Sequence, residues 1–227
     1  IVEHPEWPLS KLEVMGERER QELSQEWNRT FRPFDTDICL HELFEQQAGR
    51  TPDRVAFVFQ DQQVSYAELN VRANQLAHFL RRRGVGPETP VALCLNRSLA
   101  MLVALLGTLK AGGAYVALDP EYPPLRLEDM LNTVSPKVLI VEKDLDRFEG
   151  YTGQKIFLDE DWHIIETENF INLPCLTTTK NLLHIVFTSA STGKPRGTFV
   201  TIGSVVNRIF WMWNDHPFQS GDVAVLQ

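Results

Sequence analysis

The sequence holds 227 residues, 43% of them apolar and 23% charged, the composition of a soluble globular chain with one good core or two small ones. Lys plus Arg number 22 against 30 Asp plus Glu, and the net charge of -8 opposes general attraction to nucleic-acid phosphates or anionic lipid. Cys39, Cys94 and Cys175 are odd in number, widely spaced and without a CxxC or His partner, which is the pattern of neither a zinc site nor a disulfide scaffold. There is no apolar run of the roughly 20 residues a membrane helix needs and no signal-peptide pattern, so a cytoplasmic chain with neither membrane nor nucleic acid as partner is expected.

Residues 1 to about 35 carry Pro5, Pro8 and Pro33 around one charged helical stretch, ERERQELSQEW, with little apolar area for a core, and read as a connector. LHELFEQQAGR then predicts a short amphipathic helix with Leu40, Leu43 and Phe44 on its apolar face and Gly49 near its end. VAFVFQDQQVSY has two apolar stretches about a polar turn, the mark of a hairpin. Ser65 and Glu68 have capping-box spacing, Leu69, Ala73, Leu76, Ala77 and Leu80 follow at steps of three and four, and Gly84 stands at the C-terminal cap. These residues predict a helix from about Tyr66 to Arg83. The basic run Arg81 to Arg83 at its end reads as solvated cations complementing the negative pole of the helix.

PVALCL predicts a short buried strand, and SLAMLVALLGTLKAGG a nearly all-apolar helix, capped by Ser98, stopped at Gly112 or Gly113 and covered on most sides. AYVALD is a further strand broken by the prolines of DPEYPP, LRLEDMLNTV a helix, and KVLIV another strand. Alternating short apolar strands and helices predict an α/β fold, a parallel-rich sheet with helices on both faces. Ligands of such sheets sit beyond the carboxyl ends of the strands. The final GDVAVLQ reads as part of a buried strand, and the start at Ile1 without methionine suggests a piece of something longer.

NLLHIVF followed by TSASTGKPRG places a polar, backbone-rich loop at the end of a buried strand. Backbone N–H groups in such a loop form a concavity for an anion. The hydroxyls of Thr188, Ser189, Ser191 and Thr192 add donors, and Lys194 and Arg196 add positive charge. The loop reads as a polyphosphate cradle, against the alternative of a solvated surface loop. It is not the P-loop of NTPases: Thr188 stands at the first glycine of that pattern, and Pro195 follows Lys194 where its metal-binding hydroxyl would be.

TSASTGKPRG closely resembles the signature phosphate loop of the adenylate-forming enzymes, usually TSGSTGKPKG. VSYAELNVRANQLAHFL and LKAGGAYVALDPEYPPLRLEDML resemble, in order and spacing, the first two core motifs of nonribosomal peptide synthetase adenylation domains. LSQEWNRTFRPF looks like the end of a linker from a preceding condensation domain. The resemblance implies residues 1–35 as that linker and 36–227 as the N-terminal portion of an adenylation core, part of a large subdomain. It implies binding of ATP, Mg2+ and an amino or related carboxylic acid, formation of an acyl-adenylate, and transfer to phosphopantetheine on a downstream carrier domain. Thr188, Ser189, Ala190, Ser191, Thr192, Gly193, Lys194, Arg196 and Gly197 would hold the β and γ phosphates. Their part would be electrostatic stabilisation of the leaving pyrophosphate, with no catalytic proton-transfer residue in this stretch.

Three positions depart from the family pattern: Ala190 replaces a glycine, Arg196 a lysine, and Ile202 a frequent histidine. The family's later motifs, with the acid-selecting pocket and catalytic lysine, lie beyond Gln227, so these residues by themselves are expected to be inactive. Alternatives are a degenerate adenylation-like platform and a free-standing acyl-CoA or aryl-acid ligase.

Overall fold

The computed structural model describes residue 8 and residues 15–31, 37–188, 196–219 and 221–225. The chain falls into two compact units, Ile1–Asp35 and Thr36–Gln227. In the first, α1 (Glu17–Gln21) runs on through a π-helical turn over Glu22–Glu26, and neither piece buries a residue. It coincides with the charged stretch expected to be helical.

The second unit opens with α2 (Leu40–Arg50), the antiparallel hairpin of β1 (Val55–Phe59) and β2 (Gln62–Ser65), and α3 (Tyr66–Arg82). At the start of α3 the Glu68 amide donates to Ser65 Oγ at 3.2 Å while the Ser65 amide donates to Glu68 Oε2 at 3.0 Å, closing the expected capping box. There follow β3 (Pro90–Cys94), α4 (Leu99–Ala111), β4 (Ala114–Ala117), α5 (Pro124–Val134), β5 (Val138–Val141), β6 (Gln154–Phe157), α6 (Trp162–Ile165), β7 (Leu182–Thr188), β8 (Arg196–Thr201) and α7 (Ile202–Asp215). Ser98 caps α4, its Oγ accepting from the Met101 amide at 3.3 Å, and the helix ends at Gly112 with φ 94°.

The main sheet has the order β6-β5-β3-β4-β7-β8, and every neighbouring pair is parallel except β7–β8. From β3 the chain steps to β4 on one side, then crosses back past β3 to β5 on the other. Because crossovers between parallel strands are right-handed, two steps in opposite directions put α4 and α5 on opposite faces. The side chains follow the pleat. Val91, Leu93, Val138 and Ile140 pack with Leu76, Leu80, Val103 and Ala104 of α3 and α4. Ala92, Cys94, Leu139 and Val141 pack with Leu127, Met130 and Leu131 of α5. The helices on the first face approach closely: a Cβ on Gly107 would stand 2.9 Å from Leu76 Cδ2.

Four expectations are corrected. The inward face of α2 is wider than expected: Leu40 and Phe44 pack half-buried against the core, and His41 and Ala48, both buried, and half-buried Glu45 lie beside them. The reason is a polar cluster: Lys110 of α4, 2% exposed, pairs with Glu45, and its ammonium lies 3.4 Å from Asn172 Oδ1. Arg81 is not a solvated cation either. Its guanidinium donates to the carbonyls of Lys110 at 3.1 Å, Ala111 at 3.3 Å and Pro174 at 2.6 Å, clamping the last turn of α4. The strand expected at the chain end does not form over residues 221–225, where Val223 and Val225 are 87% and 83% exposed and no described strand pairs with them. Finally, β7 is only half buried: Leu183 and Ile185 are 2% and 3% exposed, Val186 45%.

Burial of Lys110 predicts an asymmetry. Glu45→Ala strands a buried ammonium and should cost about 3–5 kcal/mol, whereas Lys110→Met leaves a Glu45 that water reaches and should cost less. Urea unfolding midpoints of the two variants test the order. Burial, with Lys110 and Arg81 nearby, also holds the His41 imidazole down at about 4, from an ordinary 6.5, against the opposing pull of Glu42. The unfolded chain therefore binds a proton that the folded chain refuses, and stability falls as pH drops from 6.5 through about 4. The loss should approach about 3 kcal/mol. A His41→Gln variant should show a flatter decline of urea midpoint between neutral and mildly acid pH.

Candidate functional site

The polar segment joins β7 to β8, and the ladder between these strands fixes its two ends. Phe187 is paired with Gly197 and Thr188 with Arg196 in the last rungs. Directly opposed residues of an antiparallel pair put their side chains on the same face, Cβ atoms about 4.5–5.5 Å apart. The Thr188 and Arg196 side chains therefore leave the ladder on the same face from opposed positions, and both residues are exposed. Gly197 is half-buried in β8. Ser189, Ala190, Ser191, Thr192, Gly193 and Lys194 lie outside the described residues, as does Pro195.

Position in the sheet follows from register. β7 runs parallel to β4, with Tyr115 beside His184 and Val116 beside Ile185, so Thr188 stands at the carboxyl ends of the parallel strands. This is where the sheet order was expected to place a ligand. Phe187 anchors the end of β7 by packing on the core beneath α5. His184 lies against the Tyr115 ring at 5.2 Å, and burial lowers its pKa while raising that of Tyr115. Both are held neutral, so neither adds a charge to the strand that ends at Thr188.

One residue at this end was not singled out from sequence. The first turn of α5 follows β4 and carries Arg126, whose guanidinium lies 4.1 Å over the Tyr122 ring. Its Nε is buried without a hydrogen-bond partner among the described residues. The only sequence signal was its place just after the prolines of DPEYPP, which read as helix start. Among the described residues no helix is long and apolar enough to cross a membrane.

The residue types suit an anion: a hydroxyl residue and an arginine at opposed, exposed positions at the carboxyl ends of a parallel sheet. A family model described as AMP-binding enzyme matches residues 44–227. A linear gramicidin synthase of Brevibacillus parabrevis is 42% identical over 93% of the chain, and tyrocidine synthase 3 of the same organism 39% over 100%. The chain spans 4% of the length of each of these relatives. Among solved structures, the nonribosomal peptide synthetase FmoA3 superposes with a TM-score of 0.81 at 26% identity, covering 93% of this chain and 22% of that one. An AMPPNP-bound form of FmoA3 gives 0.78 at 26% identity over 88% and 21% of the two chains. A form bound to alpha-methyl-L-serine-AMP gives 0.76 at 26% identity over 86% and 22%. The chain belongs to the AMP-binding enzyme family, and its α/β fold matches the N-terminal part of a nonribosomal peptide synthetase adenylation domain.

Proposed function

We propose that this chain supplies the triphosphate-binding part of an adenylation domain that activates an amino or related carboxylic acid with ATP and loads it onto carrier-domain phosphopantetheine. Residues 1–35 serve as the linker from a condensation domain, and 36–227 as the N-terminal part of the adenylation core, in a cytoplasmic synthetase. The observation that carries this reading is the Thr188–Arg196 rung at the carboxyl end of the sheet, which brackets the Ser, Thr, Gly and Lys residues of 189–194. Binding of AMPPNP and of an aminoacyl-adenylate by FmoA3 supports it.

ATP supplies the electrophilic phosphorus, and Mg2+ lowers the charge of its triphosphate. The described ladder end fits phosphate oxygens, offering a hydroxyl donor and a guanidinium fork, with the Thr188 oxygen also available to a cation. Arg196 draws charge from the departing pyrophosphate and Thr188 donates a hydrogen bond to it; Ser189, Ser191, Thr192, Gly193 and Lys194 extend the cradle. None of these groups takes a proton from the acid. Residues that select the acid lie outside this stretch, so the site tunes nucleotide use alone.

In a synthetase carrying this chain, Lys194→Ala, Thr192→Ala and Arg196→Ala should each lower kcat/KM for ATP by about 10–100-fold, the loss of one hydrogen bond to a charged group. The ranking of acids should stay as in the wild type. Kinetics over a panel of acids check this, and changed acid preference with unaltered ATP dependence would refute the assignment. The 227-residue chain by itself should give no acid-dependent exchange of labelled pyrophosphate into ATP. Exchange by the isolated chain would show that these residues already contain a working acid site.

A further inference from the structure

Cys39 and Cys175 show no pairing pattern in the sequence, yet the fold brings them together. Cys39 is the N-cap of α2 and is 2% exposed; Cys175 is exposed, in the segment leading to β7. Both thiols point at one residue. Cys39 Sγ donates to the Thr177 carbonyl at 3.4 Å and Cys175 Sγ to the same oxygen at 3.2 Å, with the Thr177 hydroxyl at 3.6 and 3.7 Å from the two sulfurs. Glu42 completes the group: its Oε2 accepts from the Cys39 amide at 2.8 Å, which holds the carboxylate beside the thiol. Ligand atoms of Cys39, Glu42 and Cys175 all lie within 4.8 Å of one another.

The thiol-to-carbonyl distances of 3.4 and 3.2 Å are close to those between donors of a tetrahedral metal site, and the three side-chain donors, within 4.8 Å of one another, lie near enough to close on a shared ion. With metal–sulfur bonds of about 2.3 Å and metal–oxygen bonds of about 2.0–2.2 Å, neighbouring donors stand roughly 3.5–3.8 Å apart. We propose that Cys39, Cys175, Glu42 and the Thr177 carbonyl form a binding site for a thiophilic divalent cation of the zinc class. Two thiolates select a soft cation over Mg2+ or Ca2+. On binding, two S–H bonds break, two metal–sulfur bonds form, and two protons pass to solvent, with no change of oxidation state. The positive N-terminal pole of α2 offsets the excess negative charge of the two thiolates and one carboxylate. Exposed Cys175 gives the ion its way in, and the bound ion ties the start of α2 to a residue 138 positions later.

Cadmium, a spectroscopic substitute for zinc, tests the site on the reduced 227-residue chain. One Cd2+ per chain should bind with ultraviolet thiolate-to-metal absorption and raise the unfolding temperature, and excess Zn2+ should displace it. Cys175→Ser, at an exposed position that does not threaten folding, should abolish the absorption and the thermal shift. Glu42→Gln keeps the capping hydrogen bond to the Cys39 amide but should weaken binding about tenfold or more. No uptake by the reduced chain, including the case where its thiols only form a disulfide in air, would overturn the proposal. Unchanged binding in Cys175→Ser or Glu42→Gln would overturn it equally.

Discussion

Strand β3 pairs with β4 on one edge and β5 on the other, and every residue from Val91 to Cys94 is buried. A parallel strand shut off from water on both faces needs an apolar layer above and below, and its neighbours need right-handed crossovers to reach it. Helices α3 and α4 provide one layer and α5 the other. Because β3, β4 and β7 run parallel, their carboxyl ends meet one edge of the sheet. The position at which β7 ends, at Thr188, is therefore set by how the core is covered, before any side chain beyond it is considered.

The antiparallel edge adds a second constraint. A parallel neighbour would have required a long crossover; β8 instead returns antiparallel, so Thr188 and Arg196 end as partners. Abundant hydroxyls and backbone amides in the intervening sequence, with positive charge at both Lys194 and Arg196, are features a polyanion uses together. Tyr115 and His184, which touch behind the ladder, are both held toward their neutral forms by burial.

Much of this was legible in the sequence where the signal is local. The Ser65 and Glu68 cap, the Ser98 cap and the stop at Gly112 fix α3 and α4 through groups a few residues apart, and β3, β4 and β5 are short apolar runs between turns. What escaped depends on distant partners. His41, Glu45 and Ala48 join Leu40 and Phe44 on the inward side because Lys110 waits beneath them, which a helical wheel of α2 by itself does not show. Arg81 reads as a surface cation until the carbonyls of Lys110, Ala111 and Pro174 are brought within reach. At the candidate site, residue types and carboxyl-end position were readable from the loop itself. The Thr188–Arg196 rung was not, because an edge strand of RGTFVT has no alternation strong enough to announce its partner. Cys39 and Cys175 likewise give no local spacing to read.

The proposed role depends on a triphosphate resting between Thr188 and Arg196 and over the residues that join them. A crystal structure of an adenylation domain containing this chain, soaked with AMPPNP, measures that contact directly. Phosphate oxygens of the β and γ groups should lie within hydrogen-bond distance of the Thr188 hydroxyl, the 189–194 backbone and the Arg196 guanidinium. A triphosphate bound elsewhere in the domain, with those groups facing solvent, would be incompatible with that role.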